Sequence, residues 1–134
     1  MPGSSVVDAA MATLDTVVET EYGADRPRCS LIKLDVEGFE MEALGGAESV
    51  VANDRPVIFG EFNPDWLKAR GVPLEAPGVW CAEREYLPLS VKSERRTLLS
   101  DRRRITLEAS KGRAAHAALV LVPKERAEAV IAGR

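Results

Sequence analysis

Residues 31–48 read LIKLDVEGFEMEALGGAE, and the change of rhythm inside that stretch decides the fold. Ile32, Leu34 and Val36 alternate with Lys33, Asp35 and Glu37, the period of a strand with one apolar face. Gly38 ends the alternation and helical spacing follows. Ala43, Leu44, Ala47, Val50 and Val51 form one stripe of a helix over 39–52, with Glu40, Glu42 and Glu48 on its wet side. Gly45 and Gly46 fall within that helix, which points to close packing against a neighbour or to a poorer helix. NDRP, residues 53–56, then turns the chain into VIFGEF, residues 57–62, a second short apolar strand. Strand, helix and strand in so few residues predict two parallel strands joined by a right-handed helical crossover.

Working outward, residues 1–12 are small and irregular, with a short strand expected around Val6 and Val7. Thr13 or Asp15 can cap a helix running to about Tyr22, and GADRPR is a turn before the strand at 30–36. Asn63 and Pro64 begin a capped helical turn. Pro73 and Pro77 mark a loop, a helix is expected over 78–85, and YLPLSVK at 86–92 reads as a strand that Pro88 places at an edge or bulge. AALVLVP at 117–123 is a strand, followed by a short helix over 124–132. The whole is an α/β chain of one domain, residues 1–134.

Composition narrows the function classes. The apolar share is 46% and the net charge −3, which argues against disorder and singles out neither nucleic acid nor an acidic surface as partner. Residues 92–113 carry eight Lys or Arg against three Asp or Glu, a net +5 that leaves −8 for the remainder. This basic tract, 92–114, reads as a solvated loop or hairpin; it has no aromatic residue to stack on bases, so no nucleic acid is expected. Cys29 and Cys81 have no metal-ligand spacing and form no disulfide framework, which suits a reducing, cytoplasmic setting. His116 has no nucleophile near it in sequence. No signal peptide and no membrane-spanning run is read in the sequence.

The chemistry lies in the carboxylates. Ligands of open α/β sheets collect at the carboxyl ends of parallel strands, where Asp35 and Glu37 leave one strand and Glu61 the next. A carboxylate crowded by others is a candidate general base near neutral pH, and Lys33 on the same face can balance part of the charge. A group of oxygen ligands also suits a divalent cation, although no histidine or dense acidic motif adjoins it. The plain alternative is a set of solvent-exposed, salt-bridged charges at strand ends.

The stretches TLDTVV, LIKLDVEGFEMEALGGAESVV and RPVIFGEF together resemble the FkbM-like methyltransferases, over roughly Thr13 to Phe62. The resemblance implies a class I, S-adenosylmethionine-dependent enzyme with a Rossmann-like sheet that methylates a hydroxyl of a sugar or natural product. It makes residues 31–36 the fourth strand and 57–62 the fifth, with Asp35, Glu37 and Glu61 at the methyl-transfer site. Enzymes of this class hold the cofactor on their first two strands, through a Gly-rich turn and an acid on the ribose. PGSS, residues 2–5, is no such turn. The sequence therefore reads as a partial sheet lacking the first three strands, the carboxyl-terminal half of the enzyme. Strand 31–36 is then an exposed edge, open to self-association or to a separate amino-terminal half. The competing readings are a non-catalytic remnant or α/β interaction module, and a metal-dependent hydrolase.

Overall fold

A computed structural model describes residues 8–97, 100–116 and 118–132; the strand expected at Val6 and Val7 lies outside them. In chain order it contains α1 (Leu14–Tyr22), β1 (Leu31–Leu34), α2 (Glu40–Gly45), α3 (Glu48–Asp54), β2 (Val57–Gly60), α4 (Pro64–Ala69), α5 (Ala76–Glu83), β3 (Tyr86–Thr97), β4 (Ser100–Ala109), β5 (Leu119–Pro123) and α6 (Ala127–Ile131). The five strands form one sheet in the order β1-β2-β5-β3-β4. Strands β1 and β2 run parallel, with Leu31 opposite Val57 and Leu34 opposite Gly60. Every other pairing is antiparallel.

Burial follows position in the sheet. Every residue of β5, in the middle, is buried, with Leu119 and Leu121 in the larger core and Val120 and Val122 in the smaller one on the opposite face. At the edge, β1 buries only Ile32 and Leu34, while Leu31 and Lys33 stay exposed. The larger core joins those two residues to Leu44, Val50 and Val51 of the crossover and to Ile58, Phe62, Leu67 and Trp80. Among the described residues, no helix is long and apolar enough to cross a membrane.

The crossover departs from the single helix expected over 39–52. It breaks at Gly46, between α2 and α3, because α1 packs into the break. A methyl group on Gly46 would lie 3.1 Å from Thr13 Cβ, and its carbonyl accepts the Asp15 N–H at 3.0 Å. Gly46 thus lets the TLD segment approach closely; Gly45 has open space around it. Thr13, not Asp15, caps α1, accepting the Thr16 N–H. The Asp15 carboxylate instead reaches α3 and accepts the Ser49 and Val50 N–H groups at 2.8 and 3.0 Å. Those are unpaired amides of a helix start, where a negative charge also meets the favourable end of the helix dipole.

The other end of α3 is held as firmly. Asp54, buried, accepts from the Arg26 guanidinium through both oxygens and from the Cys29 N–H at 2.8 Å. Arg28 donates to the Asp54 carbonyl at 3.0 and 3.1 Å. The Arg26 hydrogen bond holds the Asp54 carboxyl below its usual range, against the opposing cost of burial. Beyond it, Arg55 takes a left-handed conformation and ties the sheet together. Its guanidinium lies 4.7 Å from the Tyr86 ring centre and bonds the Arg84 and Glu85 carbonyls and Glu125. That pairing pulls the Glu125 carboxyl down to about 2.

Two outcomes are expected from these anchors. Replacing Asp15 by Ala removes a capping acceptor and should lower stability by about 1–2 kcal/mol, read as a shifted urea midpoint with an unchanged slope. Asp54 titrates lower folded than unfolded, so its stabilisation is complete above about pH 5 and is lost as pH falls through and below the ordinary carboxylate range. Asp54→Asn should therefore flatten the acid limb of a stability-against-pH profile while leaving the slope near pH 7 unchanged. Glu125 acts in the same sense but is half exposed and screened.

Candidate functional site

Parallel register puts the carboxyl ends of β1 and β2 side by side. Leu34 is paired with Gly60, so Asp35 and Glu61 leave neighbouring strands at the same end of the sheet. Both are exposed. Lys33 Nζ lies 2.9 Å from Asp35 Oδ2, and each of these side chains is more than 60% exposed, so the pair is a solvated contact whose energy is small.

Glu37 does not continue the row of charges expected along the strand. β1 ends at Leu34, and Glu37 sits in the following turn with φ of +49°, exposed and outside the pleat. Gly38 comes next with φ of +98°, where a Cβ would also meet Trp66 Cβ at 2.9 Å. The turn therefore needs a glycine on two counts, conformation and the space that α4 takes.

Glu40 is the largest correction. The helical stripe places it on the wet side, yet it is 1% exposed. Its two carboxylate oxygens accept the Gly38 N–H at 3.1 and 3.0 Å. The buried Glu40 carboxyl thus satisfies the Gly38 N–H, a turn donor shut off from water. Helical periodicity assigns Glu40 to solvent, and its burial was not read from the sequence. Glu42, on the exposed side of α2, behaves as expected and pairs with Arg70 at 2.6 Å, which holds its carboxyl below the usual range. Arg70 also lies 3.5 Å over the Phe39 ring, tying the turn to the end of α4.

Glu61 precedes a tight reversal in which the Asn63 N–H bonds its carbonyl at 3.0 Å, and Phe62 is fully buried. Asn63 caps α4 by accepting the Asp65 N–H, with Pro64 at the first helical position as expected. The rim is thus Asp35 and Glu61 at the strand ends, with Glu37 in the turn beyond β1 and Glu40 buried. Among the described residues, no three His, Cys, Asp or Glu side chains are grouped to hold a metal ion. His116 lies far from this rim in sequence and contacts Asp65 at 3.8 Å, both exposed.

Beside the rim, along the outer edge of β1, an open groove of about 920 Å³ runs between the sheet edge, the segment before α1 and α2. Met11, Val17, Ile32, Val36, Phe39 and Ala43 give it an apolar lining. Its polar groups are already engaged: Thr13 with Thr16, Lys33 with Asp35, and Glu42 with Arg70.

The methyltransferase FkbM domain model matches residues 3–87, from the segment before α1 through the start of β3. The chain belongs to the FkbM methyltransferase domain family. No curated protein and no solved structure matches it. The matched span covers well over half the chain and includes the TLD segment, the crossover and both parallel strands, so membership extends beyond the stretch that first carries the resemblance.

Gly38→Ala tests the turn that supports this rim. The substitution meets both an unfavourable φ and the Trp66 contact, and should destabilise by at least about 2 kcal/mol in chemical denaturation. Glu40→Ala should cost about 1–3 kcal/mol by leaving the Gly38 donor buried and unpaired. A loss below about 0.5 kcal/mol for both would show that the turn is not held as described.

Proposed function

We propose that this chain provides the acceptor side of an S-adenosylmethionine-dependent methyltransferase, acting on a hydroxyl oxygen of a sugar or natural product. The observation that carries the reading is the side-by-side exit of Asp35 and Glu61 from parallel strands within the family-matched span. Asp35 is assigned the removal of the acceptor hydroxyl proton, and Glu61 its orientation by a second hydrogen bond. Lys33, beside Asp35, balances part of the negative charge at the rim. Glu37, exposed in the turn after β1, is assigned contact with the outer part of the acceptor.

The described residues do not fit the cofactor by themselves. S-adenosylmethionine presents an ammonium, a carboxylate, a ribose diol and an adenine edge, all needing matched polar partners. The groove beside the rim is apolar, and Thr13, Lys33 and Glu42 in its wall are bound to other side chains. The reading therefore assigns cofactor binding to polypeptide outside the described residues, in keeping with a partial Rossmann-like sheet. A reducing, cytoplasmic setting accords with the two free thiols; burial pushes Cys81 up to about 12, which makes it inert.

A second reading, an α/β interaction module without catalysis, is favoured by the apolar character of the same groove. Titration calorimetry with S-adenosylmethionine should give no saturable heat from the 134-residue chain up to millimolar cofactor. When the cofactor-binding strands are supplied with it, Asp35→Asn should lower kcat by about 100-fold or more while the KM for cofactor stays within about threefold. Unchanged turnover would return Asp35 to a solvated ion pair, and absence of methyl transfer from the assembled protein would favour the interaction module.

A further inference from the structure

We propose that the outer edge of β4 pairs antiparallel with the same strand of a second copy of this chain, with Thr106 on the two-fold axis. β4 ends the sheet on the side away from β1, pairs with β3 alone among the described residues and lies beyond the family-matched span. The chain after it turns toward α5, where Gly112 packs against Gly78 and the Ala114 N–H donates to the Leu74 carbonyl at 2.7 Å. Backbone geometry defines what the edge offers. The Ser110 N–H donates to the Pro88 carbonyl at 3.0 Å, which makes Leu89 and Ala109 a pair without direct hydrogen bonds. The alternation of an antiparallel ladder then turns the N–H and C=O groups of Arg104, Thr106 and Glu108 toward β3. Those of Arg103, Ile105, Leu107 and Ala109 point outward. A strand added there recovers hydrogen bonds that the edge otherwise makes only to water.

The order of residues selects both the occupant and the register. In an antiparallel two-fold pair, residues with outward peptide groups must face one another. Centring the pair on Thr106 sets Ile105 of each copy opposite Leu107 of the other, and Arg104 opposite Glu108. Thr106 then meets Thr106, a favourable cross-strand pair, and every one of these positions lies inside β4. Centring on Ile105 instead leaves Arg103 opposite Leu107, and centring on Leu107 sets Arg104 opposite Ser110, past the strand end. The run from Arg104 to Glu108 is thus self-complementary in hydrogen bonding, charge and apolar contact. Ile105 is 68% exposed and stands opposite Ser93, itself exposed, so Leu107 of the second copy gives it apolar cover. Glu94 stands opposite Arg104 in the chain's own hairpin. The pairing therefore continues a row of alternating charge from Glu94 through Arg104 to Glu108 of the second copy. The inference leaves the β1 edge open to the cofactor-binding strands and is independent of the methyl-transfer reading.

Sedimentation analysis up to about 100 µM, a range suited to micromolar dissociation constants, tests it directly. The wild-type chain should dimerise. Arg104→Glu and Glu108→Arg should each weaken self-association by at least about tenfold, since each sets like charges opposite one another. An equimolar mixture of the two variants should recover a one-to-one dimer, because each then presents the complement of the other. Ile105→Pro deletes an outward N–H, leaves the ladder to β3 intact and should give a folded monomer. Circular dichroism establishes that each variant folds. A monomeric wild type overturns the inference. A dimer that keeps its strength in Ile105→Pro or in both charge variants, or a mixture that stays monomeric, also overturns it.

Discussion

Parallel pairing of Leu31–Leu34 with Val57–Gly60 is the constraint on which the rest depends. Parallel strands cannot be joined by a tight turn, so the chain must cross over the sheet and return, here through two short helices. Neither α2, six residues long, nor α3, seven, would persist alone in water. Both are held by tertiary contacts. Asp15 accepts the first amides of α3, while Arg28 covers its last carbonyl and Asp54 ties it to the approach to β1. The segment before β1 is therefore a brace for the crossover, which explains why TLD and the longer motif occur together.

The carboxylates near β1 divide by environment. Asp35 and Glu61 stand in solvent at neighbouring strand ends. Glu40 lies under the turn, its oxygens committed to the Gly38 N–H. The motif DVEGFE thus combines two different physical tasks. One is to present acids at the carboxyl edge of the sheet, and the other is to hold the left-handed turn that carries the chain away from it. Trp66 against Gly38 and Arg70 over Phe39 extend that support into α4.

The sheet is unequal from side to side. β5 is buried on both faces, whereas β1 is covered on one face and bordered by an apolar groove at its outer edge. Hydrogen-bonding capacity, apolar area and alternating charge coincide at that edge.

Much of this was readable from residue order alone. Alternation in 31–36 and 57–62 and the helical spacing between them determined the parallel strand-helix-strand unit, because side-chain period follows directly from backbone geometry. The cap at Asn63 and Pro64 was equally local. What lay beyond the sequence were effects that depend on distant partners. The break at Gly46 arises from Thr13 packing against it, and the reach of Asp15 to α3 spans 34 residues. The position of β5 between β2 and β3 belongs to the same class. Local periodicity determines which face a residue shares with its neighbours; only the tertiary structure decides what that face meets, since the answer comes from another part of the chain.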